Sequence, residues 1–243
     1  MRKTWLLLLT LFLPLLVLLP GGGWVLGLLS PLTLLPSFAP RVRERDYWGA
    51  WRLGILWALL LSAGVILLVF LMPEAAARGI VRGESYRQEM FGWIATGEGK
   101  ENEWRQFLPE HLLHLAVFVL LTWASGGYLG LVLGALLTAY MSYFVGSYAA
   151  ASGHPVLGSF AAWVPWSVIR VCAFVLLGAV FARPLLVRKA WPFERVDSGR
   201  EYRLMALAAA GIAADLLIKT FLARPYGLFL RQMARSAMAM LPL

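Results

Sequence analysis

Residues 53–72 run for twenty positions without a charged side chain. As a helix rising 1.5 Å per residue, such a run measures about 30 Å, the thickness of a bilayer's hydrocarbon core. A helix apolar on every face has no side to turn toward water. Further apolar runs at 5–35, 107–124, 128–150, 157–181 and 204–223 repeat the theme. The chain is 60% hydrophobic and only 14% charged, which excludes an ordinary soluble domain and a disordered chain. The fold class expected is all-α: a polytopic transmembrane helical bundle of five to six spans, with interfacial amphipathic segments. Residues 1–243 then form a single integral-membrane domain of the bacterial inner or plasma membrane type.

Charge placement sets the expected topology. Lys and Arg number 22 against 13 Asp and Glu. Most of the basic residues fall between apolar runs, where they orient spans and meet anionic lipid. Membrane lipid is therefore the expected partner and nucleic acid is not; other membrane subunits or a second copy fit equally well. Residues 1–39 open with Arg2-Lys3 and are interrupted by Pro14, Pro20, Gly21-Gly22-Gly23 and Pro31. They read as a retained span or a hairpin rather than a cleaved signal, because no A-x-A site follows the apolar run. Residues 40–52 mix arginines with Tyr47, Trp48 and Trp51, the composition of an interfacial linker.

Within the core bundle, 53–223, the polar stretch 74–106 holds five basic and six acidic residues and is expected outside. Ser85-x-x-Gln88 there suggests a capping box. The loop 183–203, with six basic and three acidic residues, is expected in the cytoplasm. Residues 224–243 are expected as an interfacial tail.

Small residues recur every fourth position at Gly126, Gly130, Gly134, Thr138, Ser142, Gly146 and Ala150. In lipid, such a stripe lets helix backbones approach closely, so the fourth span is expected at the centre of the bundle. Ala206, Ala210 and Ala214 make the sixth span a candidate packing partner.

Charge inside a span costs at least about 2.5–3.5 kcal/mol on insertion scales. Arg170 lies 13 residues before Arg183, and Asp215 lies 12 after Arg203. Both are therefore roughly 18–20 Å from the shared loop and are expected to face each other. Lys219, one turn past Asp215, is expected to pair with it or snorkel outward.

Glu110, His111 and His114 open the third span on one arc, and Glu89 from the outer loop is expected within reach. These four are the candidate catalytic residues, since a carboxylate and imidazoles in a partly dry site suit acid–base work. His111 and His114 are weak metal candidates, because neither H-E-x-x-H nor H-x-x-E-H is present. Cys172, the single cysteine, excludes a disulfide framework. No nucleotide-binding loop occurs, and no cofactor is expected.

The order Trp104-Arg105, His111 and His114, then Ser152-Gly153 is similar to the rhomboid intramembrane proteases. Ala150 stands where that pattern has Gly, however, and no His follows His154 to activate the serine. Phe107-x-x-x-His111 is shared with the prenyl-protein-processing proteases, whose paired Glu-Glu is missing. With no complete catalytic motif, the function expected is a non-enzymatic, transport-related or complex-forming membrane component. The alternatives are a hydrolase or metalloenzyme at Glu110, His111 and His114, and a lipid-binding or assembly factor.

Overall fold

The computed structural model describes residues 5–187 and 198–238. Arg2, Lys3, the middle of the loop after Arg183 and the end of the tail fall outside them. The described residues are helices joined by short connections, with no strand among them. Six helices are long and apolar enough to cross a membrane, as an integral membrane protein requires.

The N-terminal run folds as an unequal hairpin. Helix α1 (Trp5–Leu9) and a 3₁₀ turn (Leu13–Leu18) form the short arm, and α2 (Gly22–Arg43) the long one. The bend needs glycine: Gly21 has a left-handed φ of 69°, and a Cβ on Gly22 would lie 1.8 Å from the Leu16 carbonyl oxygen. Thr10 and Thr33 tie the arms through their buried hydroxyls, 2.7 Å apart.

Helix α3 (Tyr47–Leu71) follows after three residues, so the linker expected over 40–52 is helical at both ends. Asp46 caps α3 by accepting from the Gly49 N–H at 2.9 Å, which starts the helix earlier than composition suggested. The polar stretch holds α4 (Pro73–Gly79) and α5 (Gly83–Thr96). Arg82, with φ of 60°, precedes α5, and Ser85 donates to the Arg82 carbonyl. The expected capping box is thus absent.

Helices α6 (Trp104–Ser125) and α7 (Tyr128–Ala151) form a tight pair. Gly126 and Gly127, both at positive φ, make the turn between them. Gly126 therefore does not belong to the α7 stripe. The remainder of α7 is central, packing against α2, α3, α5, α6 and α8.

The fifth span departs from expectation. Pro155 and Pro165 each start a helix, giving α8 (Pro155–Ala162) and α9 (Pro165–Leu186). Proline lacks the N–H that a helix interior needs and fits a first turn instead. Helix α10 (Ser198–Met238) runs through Pro225 without ending near residue 223. What was expected as a separate tail continues the last span and packs on α5, where Arg231 Nε donates to the Ile94 carbonyl at 2.7 Å.

Helix α10 packs mainly on α9. Its buried positions include Leu204, Ala208, Asp215, Lys219 and Ala223. Ala206 and Ala210 are exposed, so they do not pack on α7. At the basic end of the bundle, Arg43 Nε donates to the Leu186 carbonyl at 3.1 Å. Buried Glu201 there accepts from the Tyr47 hydroxyl and pairs with Arg183 at 3.7 Å.

Candidate functional site

Residues four apart on a helix share a face. On α9 these are Trp166 and Arg170; on α10 they are Asp215 and Lys219. The two helices place these pairs against each other. Arg170 Nε and Nη2 donate to Asp215 Oδ2 and Oδ1 at 2.8 and 2.9 Å, a two-pronged pairing of guanidinium and carboxylate. One turn on, Lys219 Nζ donates to Glu101 Oε1 at 2.9 Å. Trp166 Nε1 donates to the second oxygen of the same carboxylate at 3.2 Å. The Lys219 ammonium also lies 4.4 Å from the centre of the Phe107 ring.

These four charges cancel in pairs, which is what permits them inside an apolar bundle. Asp215 and Lys219 are almost sealed, at 1% and 2% side-chain exposure, whereas Arg170 keeps 23%. Lys219 neither bonds to Asp215 nor snorkels. Its partner, Glu101, comes from the polar stretch between α5 and α6.

Arg170 also lines a cavity of about 100 Å³ among α2, α3, α6, α7, α9 and α10. A single water needs only about 10–15 Å³ by the same measure, so there is space for a small molecule. Along α6 the lining runs from His111 to Thr122, about 16 Å of helix. Most of the wall is apolar, including Phe118, Leu131, Val171 and Phe174. Gly134 helps open the space, since a Cβ added there would meet nothing within 4 Å. The polar end is formed by His111, His114, Tyr140, Arg170 and Asp215.

His111 has a defined polarity. Its Nδ1 lies 2.7 Å from the Phe107 carbonyl oxygen. A carbonyl only accepts, so Nδ1 carries the proton and Nε2 of the neutral ring is the acceptor. That Nε2 is buried and has no hydrogen-bond partner.

Glu110 and Glu89 sit apart from the imidazoles in a surface ion cluster. Arg82 Nη2 is 3.9 Å from Glu110, and Lys100 Nζ is 3.6 Å from both Glu110 and Glu89. Each pair is partly exposed and contributes about 0–1 kcal/mol. Arg82 also lies 5.8 Å from the centre of the Tyr140 ring. Tyr140 in turn lines the polar end of the cavity. Among the described residues no group of three or more His, Cys, Asp or Glu side chains is placed to hold a metal. Ser152 is used by its turn: its hydroxyl donates to the Ala149 carbonyl at 2.9 Å and accepts from the His154 N–H at 3.2 Å.

Elsewhere on α5, Glu84 joins that helix to α7. It accepts from Arg87 at 2.8 and 2.5 Å, from Gln88 at 3.0 Å and from the Tyr143 hydroxyl at 3.0 Å. The Arg87 hydrogen bonds lower its pKa from 4.5 to about 2. A depressed carboxylate stabilises the fold above its ordinary pKa and loses that contribution as pH falls through the lowered one. Between pH 5 and pH 2, wild-type protein should therefore lose thermal stability faster than Glu84→Gln. Parallel melting curves for the two proteins would show that Glu84 has no such role.

Sequence reasoning missed Glu101, Trp166 and Tyr140. For Glu101 one signal existed: a cation within a span, next to an aspartate already matched, needs a second anion. Comparison with protein-family models, with curated proteins and with solved structures found no match to this chain.

Proposed function

We propose that this chain is an integral membrane protein that holds a small lipid-phase molecule inside its bundle, as a carrier or binding component rather than a catalyst. The observation that carries this reading is the cavity: mostly apolar, with the hydroxyls of Thr122, Thr138 and Ser167 among its lining, and with its charged lining residues, Arg170 and Asp215, neutralised within the protein. Binding sites for small molecules have this character, mostly apolar walls with a few convergent polar groups. The acid–base alternative is weaker, because Glu110 is engaged by Arg82 and Lys100 rather than by an imidazole. The basic end, with Arg41, Arg43, Arg45 and Arg183, fits the cytoplasmic side of a bacterial inner membrane, and the Glu89–Lys100–Glu110 cluster the opposite side.

Gly134→Leu tests the proposal, because Gly134 lines the cavity and an added Cβ there meets nothing within 4 Å. Wild-type protein purified in mild detergent should release a bound small molecule on extraction, detected by mass spectrometry. Gly134→Leu should release at least tenfold less at an unchanged unfolding temperature. Equal recovery from both proteins, or none from wild type, would remove the reading.

A further inference from the structure

Resting on that ligand-holding role, we infer that the molecule held carries a neutral carbonyl head, whose oxygen accepts a hydrogen bond from Arg170. A guanidinium has five N–H donors. Asp215 takes two of them, one from Nε and one from Nη2. The other three, two on Nη1 and one on Nη2, have no partner among the described residues. Nη1 is not sealed: it keeps accessible surface, and the side chain as a whole keeps 23%. Arg170 stands deep in the bundle, so that surface opens on an internal space, and Arg170 lines the cavity.

The other polar groups of the wall differ in reach. His111 Nε2 and Thr122 Oγ1 are sealed and meet no ligand. Asp215 has 1% side-chain exposure and already holds Arg170. The hydroxyls of Thr138, Tyr140 and Ser167 and the ring of His114 also line the cavity, and groups of these kinds donate as well as accept. Arg170 only donates. The open wall therefore offers more donors than acceptors, and a ligand that accepts without donating restores the balance. Its charge follows from the pairing. Arg170 is neutralised by Asp215, and Lys219 by Glu101. A carboxylate head would make two carboxylates share one guanidinium, leaving a net negative charge in an apolar enclosure. An ammonium head would bring no acceptor and would face the guanidinium. An alcohol accepts but adds a further donor to a wall already rich in them. A carbonyl oxygen accepts, donates nothing and brings no net charge. Lipid-phase ketones, quinones and esters share this chemistry.

The test uses the full chain in lipid nanodiscs, with empty discs as the blank, and five probes of one chain length: 2-octanone, 2-octanol, octane, octanoate and octylammonium. At about pH 9 the carboxylic acid and the amine are both ionised. The ketone should bind at least about tenfold tighter than octane, octanoate and octylammonium, the worth of one hydrogen bond to a charged group, and tighter than 2-octanol. In wild type the infrared C=O stretch of bound, carbonyl-labelled 2-octanone should lie at lower frequency than in empty discs. Arg170→Met with Asp215→Leu removes the donors and strands no charge. In that double variant the ketone's advantage over octane should fall to less than about twofold and the stretch should return to its empty-disc position. Gly134→Leu should weaken all five probes. If octanoate, octylammonium or 2-octanol binds wild type as well as 2-octanone does, the carbonyl assignment is overturned. An unshifted stretch in wild type overturns it as well, with no variant needed, and so does a full preference kept by the double variant. In those cases loss of binding in Gly134→Leu would still uphold the ligand-holding role. Failure of every probe to bind more tightly to wild type than to Gly134→Leu would overturn both.

Discussion

Asp215→Ala should destabilise the bundle by about 3 kcal/mol, the lower end of the roughly 3–5 kcal/mol seen when one partner of a buried ion pair is removed. The lower end applies because Arg170 keeps 23% exposure toward the cavity and can take up water there. The cost arises from the guanidinium left behind, not from the attraction lost. Arg170→Met with Asp215→Leu should therefore recover most of the stability, since two apolar side chains of similar size strand no charge. Unfolding midpoints in detergent for the single and double variants provide the measurement. A double variant no more stable than Asp215→Ala would mean that the pair itself, rather than the avoidance of a stranded charge, holds α9 against α10.

Glu101→Ala should cost more, about 3–5 kcal/mol, because it strands two groups at once. Lys219 has 2% side-chain exposure and would keep only the Phe107 ring beside it. The indole N–H of Trp166, itself fully buried, would also lose its acceptor. The damage should be local first. Amide exchange should rise across 97–103 and the start of α6, where Glu101 anchors the connection to α9 and α10. Glu101→Gln should cost less than half as much, since its amide oxygen can still accept from Lys219. A double-mutant cycle with Lys219→Met separates the pair from its surroundings. Additive losses from Glu101→Ala and Lys219→Met would show that the two side chains do not act together.

The parts of this fold legible in the sequence are those set by hydropathy over a whole turn or more. The uncharged run at 53–72 lies within α3 almost entirely, and the small-residue stripe from Gly130 to Gly146 lies on the central α7. Counting residues back from the basic loop put Arg170 and Asp215 at one level, and the structure joins them. Hydropathy is blind to a missing N–H, so the apolar run through Pro165 concealed the break between α8 and α9. The exposed alanines of α10 misled for a related reason. Alanine suits both a tight interface and an outward face, and only the neighbouring charges, Asp215 and Lys219, say which side turns inward. Glu101 was hidden by its address. A carboxylate in a polar stretch looks solvated, and nothing local shows that the chain folds inward around it. The cavity was illegible because it is a space between helices, defined by what Gly134 lacks.

The pairing of α9 with α10 bears on how the chain is made. Asp215 lies 45 residues after Arg170, and Lys219 lies 118 residues after Glu101. During synthesis α9 therefore emerges with an unmatched arginine, worth about 2.5–3.5 kcal/mol against insertion at the centre of a span. Relief comes only when α10 follows. The two helices should enter the bilayer as one unit, and a nascent chain halted before α10 should leave α9 poorly inserted. Until α10 arrives, the charge on Arg170 has no Asp215 to neutralise it.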